Sequence, residues 1–234
     1  SDGISIYKPN NLRSVAFFQK EIPIEPDTYK YPVIFPNRKL PGNVKLPFGI
    51  EGVLPFKYVE IGLPCNKIDI KETYQNSLHK EIDSESHFAS DNYVLNYLYE
   101  MSTHTIIASS FAGMYIDGYR ELEVYEADAY ITQLGDYVVT GDSKVARRTL
   151  NYLLDNGTWP TEWSLLTLFI AFEDYMYTAD KEYIRTIYTR LESKTLKALT
   201  SSNFLIDSSL QTPDLLKSAG INSDKISDII DWPE

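Results

Sequence analysis

The densest group of chemically active side chains in the sequence is an acidic stretch at residues 117–128. It holds five carboxylates and one arginine within twelve residues: Asp117, Arg120, Glu121, Glu123, Glu126 and Asp128. Carboxylates this close raise one another's pKa, and a buried acid among them can stay protonated near neutral pH, as a general acid must. Arg120 can hold one neighbour ionised through a bidentate pair, so that the other acids diverge in pKa. Divergent carboxylates of this kind are typical of glycoside hydrolysis.

The same stretch also has a simpler interpretation, as the first turn of a helix. Acids there complement the helix dipole, and Arg120 would then be an ordinary surface partner. Gly118 and the apolar residues Ile106, Ile107 and Phe111 before it instead favour a loop held at the rim of a core. The sequence alone leaves both interpretations open.

A second group, at residues 158–163, places two tryptophans around a carboxylate where a loop meets a helix. Sugar rings present C–H faces to aromatic rings and hydroxyl groups to carboxylates, so Trp159 and Glu162 suit a sugar pocket. The alternative is a capped helix start whose tryptophans pack inward. Residues 231–234 repeat the combination of tryptophan, proline and acid around Trp232, where the alternative is a frayed tail.

Other chemistries find little support in the sequence. The three histidines share no metal-ligand spacing, and no serine-hydrolase or phosphate-loop motif occurs, so we predict no metal and no cofactor. The single cysteine, Cys65, is typical of a small, partly buried thiol. A net charge of −11 repels a phosphate backbone. No apolar run reaches the ~20 residues that span a bilayer. We therefore predict neither nucleic acid nor membrane as a partner, and the compartment stays open.

The elements that must position these residues differ between two parts of the chain. Residues 1–82 are rich in proline, isoleucine and valine, and the segments at residues 14–18, 32–35 and 56–61 suit short strands. Most of the 12 prolines lie before Asn66. Proline lacks the N–H that a central ladder needs, so these segments are edge strands or loops of an antiparallel module. This part predicts a portion of a β-sandwich.

From residue 83 onward, apolar residues recur at intervals of three and four, as on the core-facing side of helices. The pattern predicts at least five helices of ~12–20 residues, joined by short loops. Capping residues predict helix starts at Ser90, at Asp142 or Ser143, at Thr161 and at Asp180. The helix from Thr161 is apolar on nearly all sides, which predicts that other helices enclose it.

Six short segments, taken in order, are similar to a known family. They are Pro55–Ile61, Phe88–Asp91 with Leu95-Asn96, Tyr115–Glu121, Tyr125–Asp128, Thr158–Trp163 and Asp231–Pro233. In this order and spacing they resemble the bacterial α-L-rhamnosidases, which are inverting glycoside hydrolases. The resemblance implies a multi-domain protein: an all-α, incomplete (α/α)6 barrel at residues 83–234, preceded by part of a β-sandwich at residues 1–82.

The resemblance also implies roles for individual residues. The family's loop usually reads Asp-Cys-Pro-x-Arg-Glu and then Trp-x-Gly-Asp, so Glu121 would donate a proton to the departing glycosidic oxygen. Here the loop is one residue shorter before the arginine, with Tyr125 in place of the tryptophan and Ala127 in place of the glycine. The sugar would be bound by Asp117, Arg120, Tyr125, Asp128, Trp159, Glu162 and Trp232.

The family's general base, a glutamate, has no counterpart in this sequence. We therefore predict that the base lies outside these 234 residues, that they alone are inactive, and that their partners are a rhamnose-containing glycoside or oligosaccharide and the remainder of the same catalytic domain. Two alternatives stay open. One is a barrel of the same kind with another sugar specificity. The other is a non-catalytic carbohydrate-binding protein, which the missing base favours and the retained acid-and-arginine loop opposes.

Overall fold

The computed structural model describes residues 4–7, 15–34, 44–50, 52–54, 56, 58–63, 69–79, 86–118, 122–221 and 223–226. The chain divides into two compact units. The first comprises Ser1–Arg38 and Gly49–Leu54, and the second comprises Lys39–Phe48 and Pro55–Glu234. The predicted acidic loop and tryptophan segment both belong to the second unit.

The first unit contains an antiparallel hairpin of strands β1 (Ile4–Tyr7) and β2 (Val15–Phe18). Strand β2 confirms the strand predicted at residues 14–18 over its described residues, 15–18. The strands predicted at 32–35 and 56–61 are wrong over the described residues 32–34, 56 and 58–61, which form no strand. Val33 and Val59 are about half exposed or more, and an apolar side chain without a buried face gives a strand nothing to pack against. The β-sandwich stays a prediction.

The second unit is helical. Its α-helices among the described residues are α1 (Tyr93–Ser109), α2 (Glu126–Val139), α3 (Ser143–Asp155), α4 (Leu166–Thr178), α5 (Lys181–Lys194) and the short α6 (Pro213–Ser218). A small hairpin of β3 (Ser110–Phe111) and β4 (Met114–Tyr115) follows α1. The first five helices have 13 to 17 residues, which confirms the predicted number and length. Within the described residues, no helix combines the length and apolar character needed to cross a membrane.

Two of the predicted helix starts are confirmed by their capping bonds. Asp142 accepts a hydrogen bond from the N–H of Lys144 at 2.9 Å and begins α3. Asp180 accepts one from the N–H of Tyr183 at 3.0 Å and begins α5. Each side chain satisfies a backbone donor that the first helical turn leaves unpaired.

The other two predicted starts are wrong by a few residues. Asn92 caps α1 in place of Ser90, whose N–H instead donates to Asn96 Oδ1 at 2.9 Å. Thr161 begins a 3₁₀ turn, Thr161–Leu165, and α4 follows from Leu166. A 3₁₀ turn of this kind is a frequent lead-in to an α-helix.

Helix α4 lies at the centre of the packing, against α2, α3 and α5. Its Ile170 and Ala171 are buried, whereas Phe169, Phe172 and Met176 are more than half exposed. The prediction of an enclosed helix is therefore wrong for the described residues, because the side chains on one side of α4 stay more than half exposed, even though Phe169 meets the ring of Tyr130 on α2 with the ring centres 5.8 Å apart.

Candidate active site

The first part of the acidic stretch forms a loop between β4 and α2, and hydrogen bonds between Asp117 and Glu123 close this loop. The N–H of Asp117 donates to the carbonyl of Glu123 at 3.0 Å, and the N–H of Glu123 donates back to Asp117 Oδ1 at 3.1 Å. Beyond this pair, the N–H of Leu122 donates to the carbonyl of Gly118 at 3.0 Å. Residues 116–118 and 122–125 are thus non-helical, which supports the loop interpretation there. Glu126 and Asp128 instead lie in the first turn of α2, as the helix interpretation expects.

Two residues of this loop have a positive backbone angle φ, in the left-handed region. Gly118 has φ +138° and Leu122 has φ +56°. Glycine adopts such angles freely, whereas a left-handed leucine costs about 1–2 kcal/mol. Leu122 is 5% exposed, and its carbonyl accepts a bond from the N–H of Val44 at 2.9 Å. Burial and this bond hold the strained residue in place, and strain of this kind is concentrated at functional sites.

Several predicted site residues fall outside the described residues. These are the predicted proton donor Glu121 and the predicted sugar ligands Arg120 and Trp232; Tyr119, between Gly118 and Arg120, also falls outside. Their roles stay predictions. The remaining five are described: Asp117, Tyr125, Asp128, Trp159 and Glu162.

Tyr125 is the residue that leads from the loop into α2. Its hydroxyl donates to Glu123 Oε2 at 2.8 Å. Its ring meets that of Trp163 edge-on, with the ring centres 5.8 Å apart and an angle of 87° between the planes. Asp128 lies partly buried in the first turn of α2, where the helix dipole stabilises negative charge. The helix start therefore presents both an aromatic contact and a carboxylate.

The tryptophan segment lies directly against this helix start. Trp159 is 42% exposed, and the following Pro160 is buried. Oε1 of Glu162 is buried and has no hydrogen-bond partner among the described residues. A buried carboxylate oxygen without a donor is costly in free energy. Glu162 therefore keeps one unsatisfied acceptor oxygen within the tryptophan segment.

Glu126 joins the two predicted groups. Its Oε1 accepts a hydrogen bond from the N–H of Thr158 at 3.1 Å, and its Oε2 accepts one from Thr158 Oγ1. The two residues are 32 positions apart in the sequence. With the Tyr125–Trp163 ring contact, these bonds bring the acidic loop's exit and the tryptophan segment to one place on the molecule.

A buried lysine lies behind this junction. Glu126 and Lys194 both have no exposed surface. Burial raises the pKa of Glu126, while the bonds from Thr158 and the charge of Lys194 act against that rise. Burial lowers the pKa of Lys194, and the charge of Glu126 opposes the change. The two groups therefore stabilise each other's charge inside the second unit.

The sequence interpretation missed the partnership of Glu126, Thr158 and Lys194. Glu126 stood within the acidic stretch, but nothing in its spacing distinguished it from the acids of an ordinary first helical turn. Lys194 is the last residue of α5, where a basic residue is expected for the helix dipole alone.

A family model described as bacterial alpha-L-rhamnosidase 6 hairpin glycosidase domain matches residues 83–228. The chain belongs to this family. The match confirms the resemblance suggested by the sequence motifs, and the helical second unit is consistent with such a domain. No curated protein and no solved structure gave a match.

Membership of the rhamnosidase family makes the protein a glycoside hydrolase and makes a glycoside its substrate. The structure also has two open grooves away from the start of α2. One of about 640 Å³ lies between α4 and α5, and one of about 510 Å³ lies between α5 and α6. None of the five described site residues lines either groove. Across the described part of the chain, no cluster of three or more histidine, cysteine or acidic side chains could hold a metal ion.

Proposed function

We propose that this chain supplies the acid half of an inverting α-L-rhamnosidase and that Glu121 is the general acid. The supporting observation is the junction at the start of α2. There a loop of acids, fastened at Asp117 and Glu123, adjoins a segment that carries Trp159 and Glu162. An aromatic face and several carboxylates at one place are what a sugar ring requires.

In this proposal the sugar lies between the loop and the tryptophan segment. Its hydroxyls are bound by carboxylates and an arginine, and an aromatic ring covers one of its faces; these ligands are Asp117, Arg120, Tyr125, Asp128, Trp159, Glu162 and Trp232. Glu121 gives its proton to the glycosidic oxygen as the bond to the anomeric carbon breaks. Water attacks from the opposite face, activated by a base roughly 6.5–9.5 Å from the acid. That base belongs to a part of the protein outside this sequence.

The exposed side of α4 supports a partner within the same catalytic domain. A domain of six hairpins has twice as many helices as hairpins, and the described residues supply five long helices and one short one. Phe169, Phe172 and Met176 leave an apolar surface on α4 that a further helix would bury. We propose that the remaining hairpins cover this side. Residues 1–82 form the β-sandwich portion before the barrel in the same proposal.

The decisive experiment replaces the proposed acid in the longest natural form of the protein. Glu121→Gln should lower the rate on a rhamnoside with a poor leaving group by about 10²–10⁴. A p-nitrophenyl rhamnoside should lose much less, because its leaving group needs little protonation. The alkaline limb of the pH dependence of kcat/KM should also disappear, since that limb reports the acid.

The matched control is Glu182→Gln, which removes a glutamate whose side chain is 78% exposed on α5. It should leave the rate on both substrates unchanged. Equal losses on good and poor leaving groups in Glu121→Gln, or an intact alkaline limb, would contradict the assignment of the acid.

The anomer released first tests inversion, and a glycoside panel tests the sugar. Proton NMR of the fresh hydrolysate should show β-L-rhamnose before mutarotation. Appearance of the α-anomer first would overturn the inverting mechanism. Faster hydrolysis of another sugar than of rhamnosides would replace the substrate and leave the acid in place. Rhamnose binding without turnover by the longest natural form would favour a binding protein.

A further inference from the structure

Glu126 clamps a single residue of the tryptophan segment. One of its carboxylate oxygens holds the backbone of Thr158, and the other holds the side chain of the same residue. Hydrogen bonds to a carboxylate are stronger than those between neutral groups. Glu126 itself is the first residue of α2 and is fully buried, so it cannot reach a bound sugar. Its role must be exercised through Thr158.

The residue after Thr158 is Trp159, and the chain around it is fastened on the other side as well. The N–H of Gly157 donates to the carbonyl of Gly220 at 3.0 Å, and Gly157 forms a parallel bridge with Ile221. Residues 157 and 158 are thus held from two directions, while Trp159 keeps 42% of its surface exposed. This arrangement fixes the base of an exposed aromatic side chain.

Lys194 supports the same segment from inside. A β-carbon built on Gly220 would lie 2.6 Å from Lys194 Nζ, and one built on Gly157 would lie 3.2 Å from it. The amine therefore occupies space that the two glycines leave open, and it lies 3.5 Å from the carbonyl of Gly220. The charge of Lys194 and the bonds from Thr158 both oppose the rise that burial causes in the pKa of Glu126.

We infer that Glu126 is a positioning residue that sets Trp159 relative to the sugar-binding carboxylates at the start of α2. Tyr125 and Asp128 lie within two residues of Glu126, so one carboxylate ties the aromatic and acidic sides of the pocket together. This inference rests on the proposed function. It predicts an effect on substrate binding larger than the effect on the chemical step, because Glu126 does not contact the reacting atoms.

The first arm of the test is kinetic, in the longest natural form of the protein. In Glu126→Gln the amide can still accept from the N–H of Thr158 but presents an N–H₂ group to its hydroxyl and carries no charge opposite Lys194. KM for a rhamnoside should rise about tenfold while kcat changes less than about threefold. Thr158→Val should act in the same direction, and the double variant should fall short of the product of the single effects.

The second arm observes Trp159 without requiring turnover. The chain holds three tryptophans, so ¹⁹F NMR of the fluorotryptophan-labelled protein gives few signals, which tryptophan-to-phenylalanine variants assign. Glu126→Gln should shift the Trp159 signal, and the exposed control Glu182→Gln should not. Both readouts are made at a temperature well below the unfolding midpoint of each variant, so a loss of fold is distinguished from a change of position.

The outcomes separate this inference from the proposed function. A wild-type protein without rhamnoside turnover or rhamnose binding would overturn the proposed function, and the Trp159 signal would still decide whether Glu126 positions that side chain. An unchanged Trp159 signal in Glu126→Gln would overturn the inference. So would a fall in kcat at unchanged KM, or full additivity of Glu126→Gln and Thr158→Val.

Discussion

The buried acids at the two ends of α2 differ in their hydrogen-bond partners. At the C-terminal end, Asp136 accepts bonds from the hydroxyls of Tyr115 at 2.6 Å and Thr140 at 2.8 Å. The neighbouring Tyr137 donates to Asp174 at 2.6 Å. At the N-terminal end, Glu126 faces Lys194 across the core without a direct ion pair in the described structure, and an oxygen of Glu162 has no described partner.

Asp174 completes the network at the C-terminal end. The Nε of Arg147 donates to both of its oxygens at 3.1 Å, and the same guanidinium donates to Asp180 at 2.9 Å and to Thr178 at 3.0 Å. Buried polar groups that are all satisfied make the core rigid. The difference is that the acids at the C-terminal end are bonded within the fold, whereas one oxygen of Glu162 near the N-terminal end has no described donor and is assigned to the sugar only in the proposed function.

The largest expected effect comes from a substitution at the C-terminal end of α2, where the buried acids all have hydrogen-bond partners. Arg147→Met keeps an unbranched side chain but removes the guanidinium. Asp174, whose side chain is 1% exposed, is then left without its cation. Removing one member of a buried pair leaves an uncompensated charge, so we expect a loss of about 3 kcal/mol in the free energy of unfolding. Urea denaturation of the purified protein measures this. Rhamnoside binding at temperatures where the variant is folded should not change.

Arg185→Met is the matched control for that substitution. Arg185 pairs with Glu182, and both side chains are at least 70% exposed. Exposed pairs contribute about 0–1 kcal/mol, so the unfolding midpoint should hardly move. An Arg147 variant as stable as this control would show that the network is not structural.

The two ends should also respond to pH in opposite directions. Burial raises the pKa of Glu126, so its contribution to stability is full below the ordinary glutamate pKa and is lost as pH rises through the raised value. The N–H of Tyr183 and then Arg147 lower the pKa of Asp180, so its contribution is present above the ordinary aspartate pKa and is lost as pH falls.

Melting curves from acidic to neutral pH test this opposition. The stability difference between wild type and Glu126→Gln should narrow as pH rises, and the difference between wild type and Asp180→Asn should widen. The window stays below the region where Lys194 titrates, because its lowered pKa adds the opposite slope there. Parallel trends in the two variants would contradict the comparison.

The helices could be predicted because their pattern is local. Apolar spacing and the caps Asp142 and Asp180 are determined within one turn of the chain, and both caps are confirmed. The strand predicted at 56–61 failed for the opposite reason, since a strand depends on partners that the local sequence does not specify. The exposed side of α4 likewise depends on neighbours distant in the sequence.

The candidate site was predictable as two groups but not as one place. Acid density marked residues 117–128, and tryptophan with acid marked residues 158–163. Their junction rests on the pair Glu126 and Thr158, and hydrogen bonds over such a separation follow from helix packing and leave no mark in spacing. Lys194 was out of reach for the same reason.

The smallest expected effect on stability comes from Glu162, near the N-terminal end of α2. Glu162→Gln keeps the side-chain shape, and because the buried Oε1 has no donor among the described residues, the unfolding free energy should change by less than about 0.5 kcal/mol. An amide oxygen accepts a hydrogen bond from a hydroxyl group more weakly than a carboxylate oxygen does. In the proposed function, rhamnose affinity measured by calorimetry should therefore fall about fivefold. Thr103→Val, which removes another unpartnered buried oxygen, should alter neither quantity. If Glu162→Gln instead costs as much stability as Arg147→Met and leaves affinity intact, Glu162 belongs with the structural acids and the contrast between the two ends fails.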